Sequence, residues 1–596
     1  MNRRWGIALA TLALAASMAG AVAGAGDAQT TPVRVTAFPM PGSPVAREET
    51  QITLRGEPAE RLGLIEVTGS RSGPHPGTLR AHSDGRGANF LPTRRFLPGE
   101  RVIVRTTLTI EGAKNGDFSF VVARRPSPGS GGDGTLNLPP APRASVDRFR
   151  TRPDLQAPSV IVNRRARGTQ RGLIFLAPFA PKNSTRPDGP LITDDRGELV
   201  WFKPVRRGTA VTDLKVQELG GKPVITWWEG RFAVGWGYGA YKVFDTAYRQ
   251  IATVRPGNGL TSDLHDMRLT DRGTALVLSY DRVKRDLRFA GGVRHGRIVD
   301  NVVQEVELAT GLVRFEWHSA GQIQVTASRS RPQGAHSWDF FHANSVEEDT
   351  DGNFIVSARD TCALYKLDRE TGAVLWQLGG RGGDFKMGPG TRFCFQHDAR
   401  RAGPGRISLF DNSAGPPVLR PFSRGLVLAV DERRKRVRLV RQYRHPARLL
   451  AFNQGSMRVQ PNGNAFVGWG GASPAFSEFS PHGRLLFDGR LTKGKGNYRA
   501  LRAPWTGRPA TSPAIAARRT HGGRVVVYAS WNGATEVARW QVLAGSSSRL
   551  RGVASKARDG FETAITARTR AARVAVRALD ARGQVLGTSR QVQPRR

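Results

Sequence analysis

Cysteine is almost missing from this chain of 596 residues: Cys362 and Cys394 are the whole complement, they form no C-x-x-C pair, and no spacing around them suits a metal. A cysteine-built metal scaffold and a C-x-x-C redox motif are thereby excluded. Acid is short as well, with 49 Asp and Glu against 90 Lys and Arg, a formal charge of +41. Such a surplus ordinarily points to nucleic acid or an acidic polymer. The arginines, however, are scattered between apolar positions, no helix has a basic face and no nucleic-acid motif is found, so no nucleic-acid partner is expected. The charge does imply attraction to anionic substrates and to an anionic cell envelope, weakened by salt. Long apolar runs are confined to Ile7–Ala25, which follows Arg3 and Arg4 and ends in small residues. Residues 1–25 therefore read as a secretory signal peptide, and no other stretch approaches a membrane span.

What is present is β pattern punctuated by turn signals, in a chain whose 39% hydrophobic content is ample for packed cores. The polar chemistry concentrates between Phe341 and His397. His342 and Asn344 are two apart, which puts them on one side of a strand; the turn signal Asp349–Asn353 follows, and Phe354 to Arg359 returns. Antiparallel pairing then sets Arg359 beside His342 and Asn344. A planar guanidinium next to neutral donors suits an oxyanion such as sulfate, phosphate or carboxylate.

The hairpin template recurs. His265-Asp266-Met267 leads through Asp271-Arg272-Gly273 into ALVLSY, His397-Asp398 leads through Gly403-Pro404-Gly405 into ISLFDN, and Gln454-Gly455-Ser456 leads through a Gly-Asn turn into AFVGW. Hairpins of a second kind lie between them, such as Ala363–Leu378 and Val303–Trp317. One hairpin of each kind makes a four-stranded blade, and the pairs fall at 159–202, 213–254, 265–317, 342–378, 397–443 and 454–490. The expected fold is all-β, a six-bladed β-propeller in which His265, His342 and His397 converge at one mouth of the central channel.

These motifs carry a resemblance. HDM at His265, FHANS followed by Arg359, FQHDA at His397 and YRALRAPWTGRP from Tyr498 to Pro509, in that order, resemble the bacterial arylsulfotransferase family, in particular its actinobacterial-type branch, over roughly Arg171 to Pro509. The resemblance implies an enzyme that moves a sulfuryl group from an aryl sulfate donor to a phenolic acceptor without phosphoadenosine phosphosulfate and without a cofactor. It implies that His397 is transiently sulfated, and that His265, His342, Asn344 and Arg359 bind or protonate around it. With a pKa near neutrality His342 suits the proton transfer, His265 being the alternative. Arg359, Asn344 and His265 suit the equatorial oxygens of the moving group. Two other readings stay open: a non-enzymatic secreted propeller that binds anionic cell-surface ligands, and a cofactor-bearing dehydrogenase propeller, suggested by its tryptophans and by LDRETGAVLWQ.

Around the propeller at 159–510 the pattern predicts an N-terminal β-sandwich at 31–125, a Pro/Gly-rich linker at 126–158 and a fibronectin-like C-terminal β-sandwich at 512–594. Trp531 and Trp540 lie in β-patterned runs of the last and are expected in its core. Two cysteines behind a signal peptide favour a Cys362–Cys394 disulfide, contributing roughly 3 to 4 kcal/mol. Converging imidazoles can hold a metal. The only carboxylates at hand, Asp266 and Asp398, directly follow their histidines and face the other way, so no metal is expected. His318 and His336 are expected at the surface, and His75, His82, His295, His445, His482 and His521 in solvated turns. Trp227, Trp228, Trp236 and Tyr238 are expected to line the channel.

Overall fold

A computed structural model describes residues 34–126, 146–179, 188–334, 336–492 and 495–595; the expected signal peptide and most of the expected linker lie outside them. Among the described residues nearly all regular structure is antiparallel strand, and no helix is long and apolar enough to cross a membrane. Many strands are buried on both faces, as Leu199–Phe202, Phe354–Ala358 and Ala363–Leu367 are, which is why they read as apolar runs and not as alternations.

Residues 34–126 form two four-stranded sheets, Thr36–Phe38, Ile52–Arg55, Gly87–Pro92 and Gly77–Ala81 in one, Gly73–Pro74, Ile65–Gly69, Arg101–Thr106 and Phe118–Val121 in the other. Ile52 and Leu54 from the first pack with Val67, Val102 and Phe120 from the second. His75 and His82 are buried in this part instead of solvated. His82 bonds Arg55 at 2.9 Å and also Asn89, and burial pulls it down to about 4.

The middle of the chain folds into consecutive sheets of four or more strands. The first holds Leu199–Phe202, Leu191–Thr193, Leu173–Leu176 and Leu501–Ala503; the second runs from Ala210–Leu219 to Gln250–Val254. The third holds Met267–Leu269, Thr274–Arg285, Gly296–Glu307 and Val313–His318, the fourth runs from Ala343–Glu348 to Val374–Gly379, and the fifth from His397–Arg401 to Arg436–Tyr443. The sixth runs from Ser456–Val459 to Leu485–Leu491 and takes in Val160–Arg165. The pattern had assigned residues 159–202 to one sheet. Val160–Arg165 instead pairs with Leu485–Leu491, and Leu501–Ala503 takes the place beside Leu173–Leu176. Leading strands of successive sheets touch, and Ala465–Gly468 of the sixth touches Leu501–Ala503 of the first, so the packing closes on itself.

Both flanking parts dock on these sheets. Thr53 Oγ1 and Asn89 Nδ2 donate to the Val313 carbonyl at 2.7 and 3.0 Å, while Arg47 and Arg125 each reach Asp281 at 2.7 Å. His318, expected at the surface, is buried: it sits between Asp300 at 2.6 Å and Glu316 at 3.0 Å. Residues 514–588 form a three-stranded and a four-stranded sheet around Val525, Val527, Trp540, Val542 and Val576, with Trp531 packed at the margin. Asn532 exchanges two hydrogen bonds with the Phe202 backbone, each 3.0 Å long. His445, also expected in solvent, packs against Trp469 and lies 3.5 Å from Asp488. His295, His336, His482 and His521 are exposed.

Candidate active site

His265, His342 and His397 meet. Their ring nitrogens lie within 4.8 Å of one another, and the His265 and His342 ring centres are 4.9 Å apart. They come from the starts of the third, fourth and fifth sheets, where the backbone is irregular. His342 has φ +59°, the register slips between Ala343 and Ser345, and it slips again between His397 and Arg400, with Asp398 at φ +57°. Bulges of this kind re-aim side chains beside functional sites. His342 therefore precedes its strand, and the two-residue spacing to Asn344 is not what aligns it. The backbone of Arg359 does return beside it, donating to the His342 carbonyl at 2.9 Å.

Each ring is held through Nδ1. Asp263 accepts from both the backbone N–H of His265, at 2.9 Å, and its Nδ1, at 2.5 Å. Asp339 does the same for His342, at 3.0 and 2.6 Å. His397 has no such acid; its Nδ1 faces Asn412 Oδ1 at 2.8 Å. The Asn412 amide nitrogen already donates to the carbonyls of Ala451 and Gln454, at 3.0 and 2.9 Å, so its oxygen must be what meets the ring. His397 therefore carries its proton on Nδ1 and leaves Nε2 unprotonated. Asp263, Asp339 and Asn412 were not singled out from sequence. Asp263-Leu-His265 and Asp339-Phe-Phe-His342 hold a short-range signal, whereas Asn412 is 15 residues from its partner and had none.

The electrostatics separate the three rings. Burial, reinforced by the Arg359 cation, holds His397 well below the ordinary value, and the Asn412 bond opposes this only in part. Burial also lowers His265, against the pull of Asp263. For His342 burial acts downward too, but the Asp339 charge and hydrogen bond outweigh it and the net shift is up. The environment thus favours the neutral form of His397 and shifts the neighbouring His342 toward its charged form.

Arg359 lies over the Phe395 ring at 4.9 Å, bonds Asp360 at 2.5 Å and reaches the Phe452 carbonyl at 3.4 Å. Asn344 donates to the Gln396 carbonyl at 2.7 Å, which leaves one amide hydrogen to spare and a buried Oδ1 without a partner. Cys362 and Cys394 are joined in a disulfide that packs on Phe395, under Arg359. Tyr280 stacks on His265 at 5.5 Å and on Trp236 at 6.1 Å. Trp236 and Tyr238 belong to this cluster, but Trp227 and Trp228 are sealed in cores between sheets and line no channel.

Beneath the histidines lies a floor of buried charge. The Tyr498 ring is 5.4 Å from His265 and 6.3 Å from His397, and Arg499 stacks on its other side at 4.9 Å. Arg499 bonds Asp213 at 2.6 Å, Asp266 at 3.1 Å and the Asn344 carbonyl at 2.8 Å, and lies 3.3 Å from Asp398. Lys215 and Arg400 complete Asp266, and Arg458 joins Asp398. Asp266 and Asp398 do face away from their histidines, into this network. The three imidazoles are a set with metal-ligand spacing.

Residues 215–492 match the family model described as arylsulfotransferase (ASST). No curated protein matches the chain. Among solved structures, a Bacteroides caccae protein of unknown function is similar at 12% identity and TM-score 0.35, covering 56% of this chain and 98% of its own. The periplasmic gluconolactonase of Pseudomonas aeruginosa is similar at 13% identity and TM-score 0.30, covering 71% and 96%. A catalytically inactive virginiamycin B lyase from Staphylococcus aureus is similar at 6% identity and TM-score 0.26, covering 61% and 96%.

Proposed function

We propose that this chain is a secreted, nucleotide-independent aryl sulfate sulfotransferase of the actinobacterial-type branch, acting through a sulfated His397. Its six closed-up sheets are read as the blades of a propeller, with β-sandwiches on either flank. The observation that carries the reading is the meeting of His397, whose Nδ1 proton is held by Asn412 so that Nε2 is bare, with His342, which Asp339 shifts toward its charged form, close to the Arg359 cation. Nε2 attacks the sulfur of an aryl sulfate, the sulfur–oxygen bond to the ring breaks, and the departing phenolate takes the His342 proton. The acceptor phenol then attacks the same sulfur, the sulfur–nitrogen bond breaks, and the phenol proton returns to His342. Arg359, the spare amide hydrogen of Asn344 and His265 are placed to hold the sulfuryl oxygens, a role like that of the clamps in phosphoryl transfer.

The test is incubation of the protein with an aryl sulfate and a phenol, with no nucleotide donor. Ping-pong kinetics and a burst of the first phenol are expected, and His397→Asn, which keeps a polar group without a nucleophilic ring nitrogen, should lose both. Transfer by His397→Asn at near the parent rate would rule out this residue as nucleophile.

A further inference from the structure

We propose that Asn412 is a positioning residue that keeps the sulfated histidine reactive, and that its value lies in being an amide where the two neighbouring rings have a carboxylate. The inference rests on the reading of His397 as nucleophile given above. All three imidazoles are anchored at Nδ1, two by Asp263 and Asp339, and the one expected to carry the sulfuryl group by Asn412. An acid is close by. Asp411 precedes Asn412, yet its oxygens are taken by Cys394 N–H, Ser413, Arg420 and Arg424 and stay off the ring.

The chemistry of the second half-reaction gives this arrangement its meaning. When Nε2 forms its bond to sulfur the ring keeps the Nδ1 proton and becomes an imidazolium carrying an N-sulfonate. Transfer to a phenol breaks the nitrogen–sulfur bond, the electron pair returns to Nε2, and the leaving group is a neutral imidazole. A carboxylate at Nδ1 would act against this. It would stabilise the cationic ring, or take the Nδ1 proton outright and leave an anionic imidazole as the leaving group, and both effects slow the loss of sulfur. An amide oxygen accepts the Nδ1–H bond, fixes the tautomer and cannot take the proton. Because Asn412 is itself pinned by the Ala451 and Gln454 carbonyls, it cannot turn its nitrogen to the ring instead.

The experiment separates the two half-reactions in Asn412→Asp. The burst of the first phenol should persist within a few-fold, transfer to the acceptor should fall by about ten- to a hundredfold, taken from the scale for hydrogen-bond partners behind metal-bound histidines, and the sulfated His397 peptide should accumulate in quenched samples. A purely structural role would slow both half-reactions alike, and that outcome, or no change in either, overturns the proposal. One measurement needs no variant: nitrogen NMR of the sulfated parent protein with labelled histidine should show Nδ1 protonated, and a deprotonated Nδ1 overturns the proposal. A parent protein that never yields sulfated His397 removes the nucleophile reading itself, an outcome distinct from failure of the Asn412 swap.

Discussion

At the scale of single residues, the division of labour among the histidines comes from what stands behind each ring. Asp339 is what raises His342, so its removal has a signed consequence. The acid form of His342 should serve catalysis up to a pH above 6.5, while His397 stays unprotonated down to well below 6.5. The pH profile of the first-phenol burst should therefore have its acid limb well below pH 6.5 and its alkaline limb above pH 6.5. Asp339→Asn should move the alkaline limb to lower pH and leave the acid limb in place; an unmoved alkaline limb would dismiss His342 as the acid. The sequence made His265, His342, His397 and Arg359 legible because the hairpin template repeats around them. The anchors were hidden to different degrees. Asp263 and Asp339 are near neighbours whose geometry depends on a left-handed or irregular backbone that no period reveals, and Asn412 comes from the far end of a hairpin.

At the scale of elements, alternation and turn chemistry showed where strands lie, but not which face another part of the chain covers. The strand Val313–His318 illustrates this: the N-terminal part of the chain docks on it at Val313, and its histidine, expected at the surface, is buried between Asp300 and Glu316. His318 is pressed down by burial, but Asp300 and Glu316 outweigh this and bring it up to about 10 from an ordinary 6.5. A folded-state value above the unfolded one means that the stabilisation is complete below pH 6.5 and is lost as the pH rises through 10. His318→Gln should cost roughly 3 to 5 kcal/mol near neutrality, because two buried carboxylates lose their cation. Denaturant unfolding should show the gap between parent and variant narrowing above pH 10; a gap constant from pH 7 to pH 11 would show that the ring acts by packing alone.

At the scale of the whole molecule, the charge surplus of the sequence gives no hint of the balanced cluster at its centre. Asp213, Asp266, Asp398 and Glu347 stand there with Lys215, Arg400, Arg458 and Arg499, drawn from six separate stretches of chain. Arg499→Met should therefore cost roughly 3 to 5 kcal/mol in unfolding free energy, since it strips the shared cation from buried acids, and Met fills the space. A loss under about 1 kcal/mol, the range of exposed pairs, would mean the network relaxes around the gap. The strand exchange between the first and sixth sheets has a consequence for how the protein comes into being. A ribosome delivers all of His265, His342 and His397 before it reaches residue 400, yet Tyr498, Arg499 and the strand Leu501–Ala503 follow about a hundred residues later. Until they emerge, Leu173–Leu176 and Val160–Arg165 wait as open edges, each a template for pairing with the wrong chain. A product cut short after the fifth sheet would hold every residue named for the chemistry and still lack Tyr498 and Arg499 beneath them and the strand that completes the first sheet, so the site is whole only once residue 503 has been made.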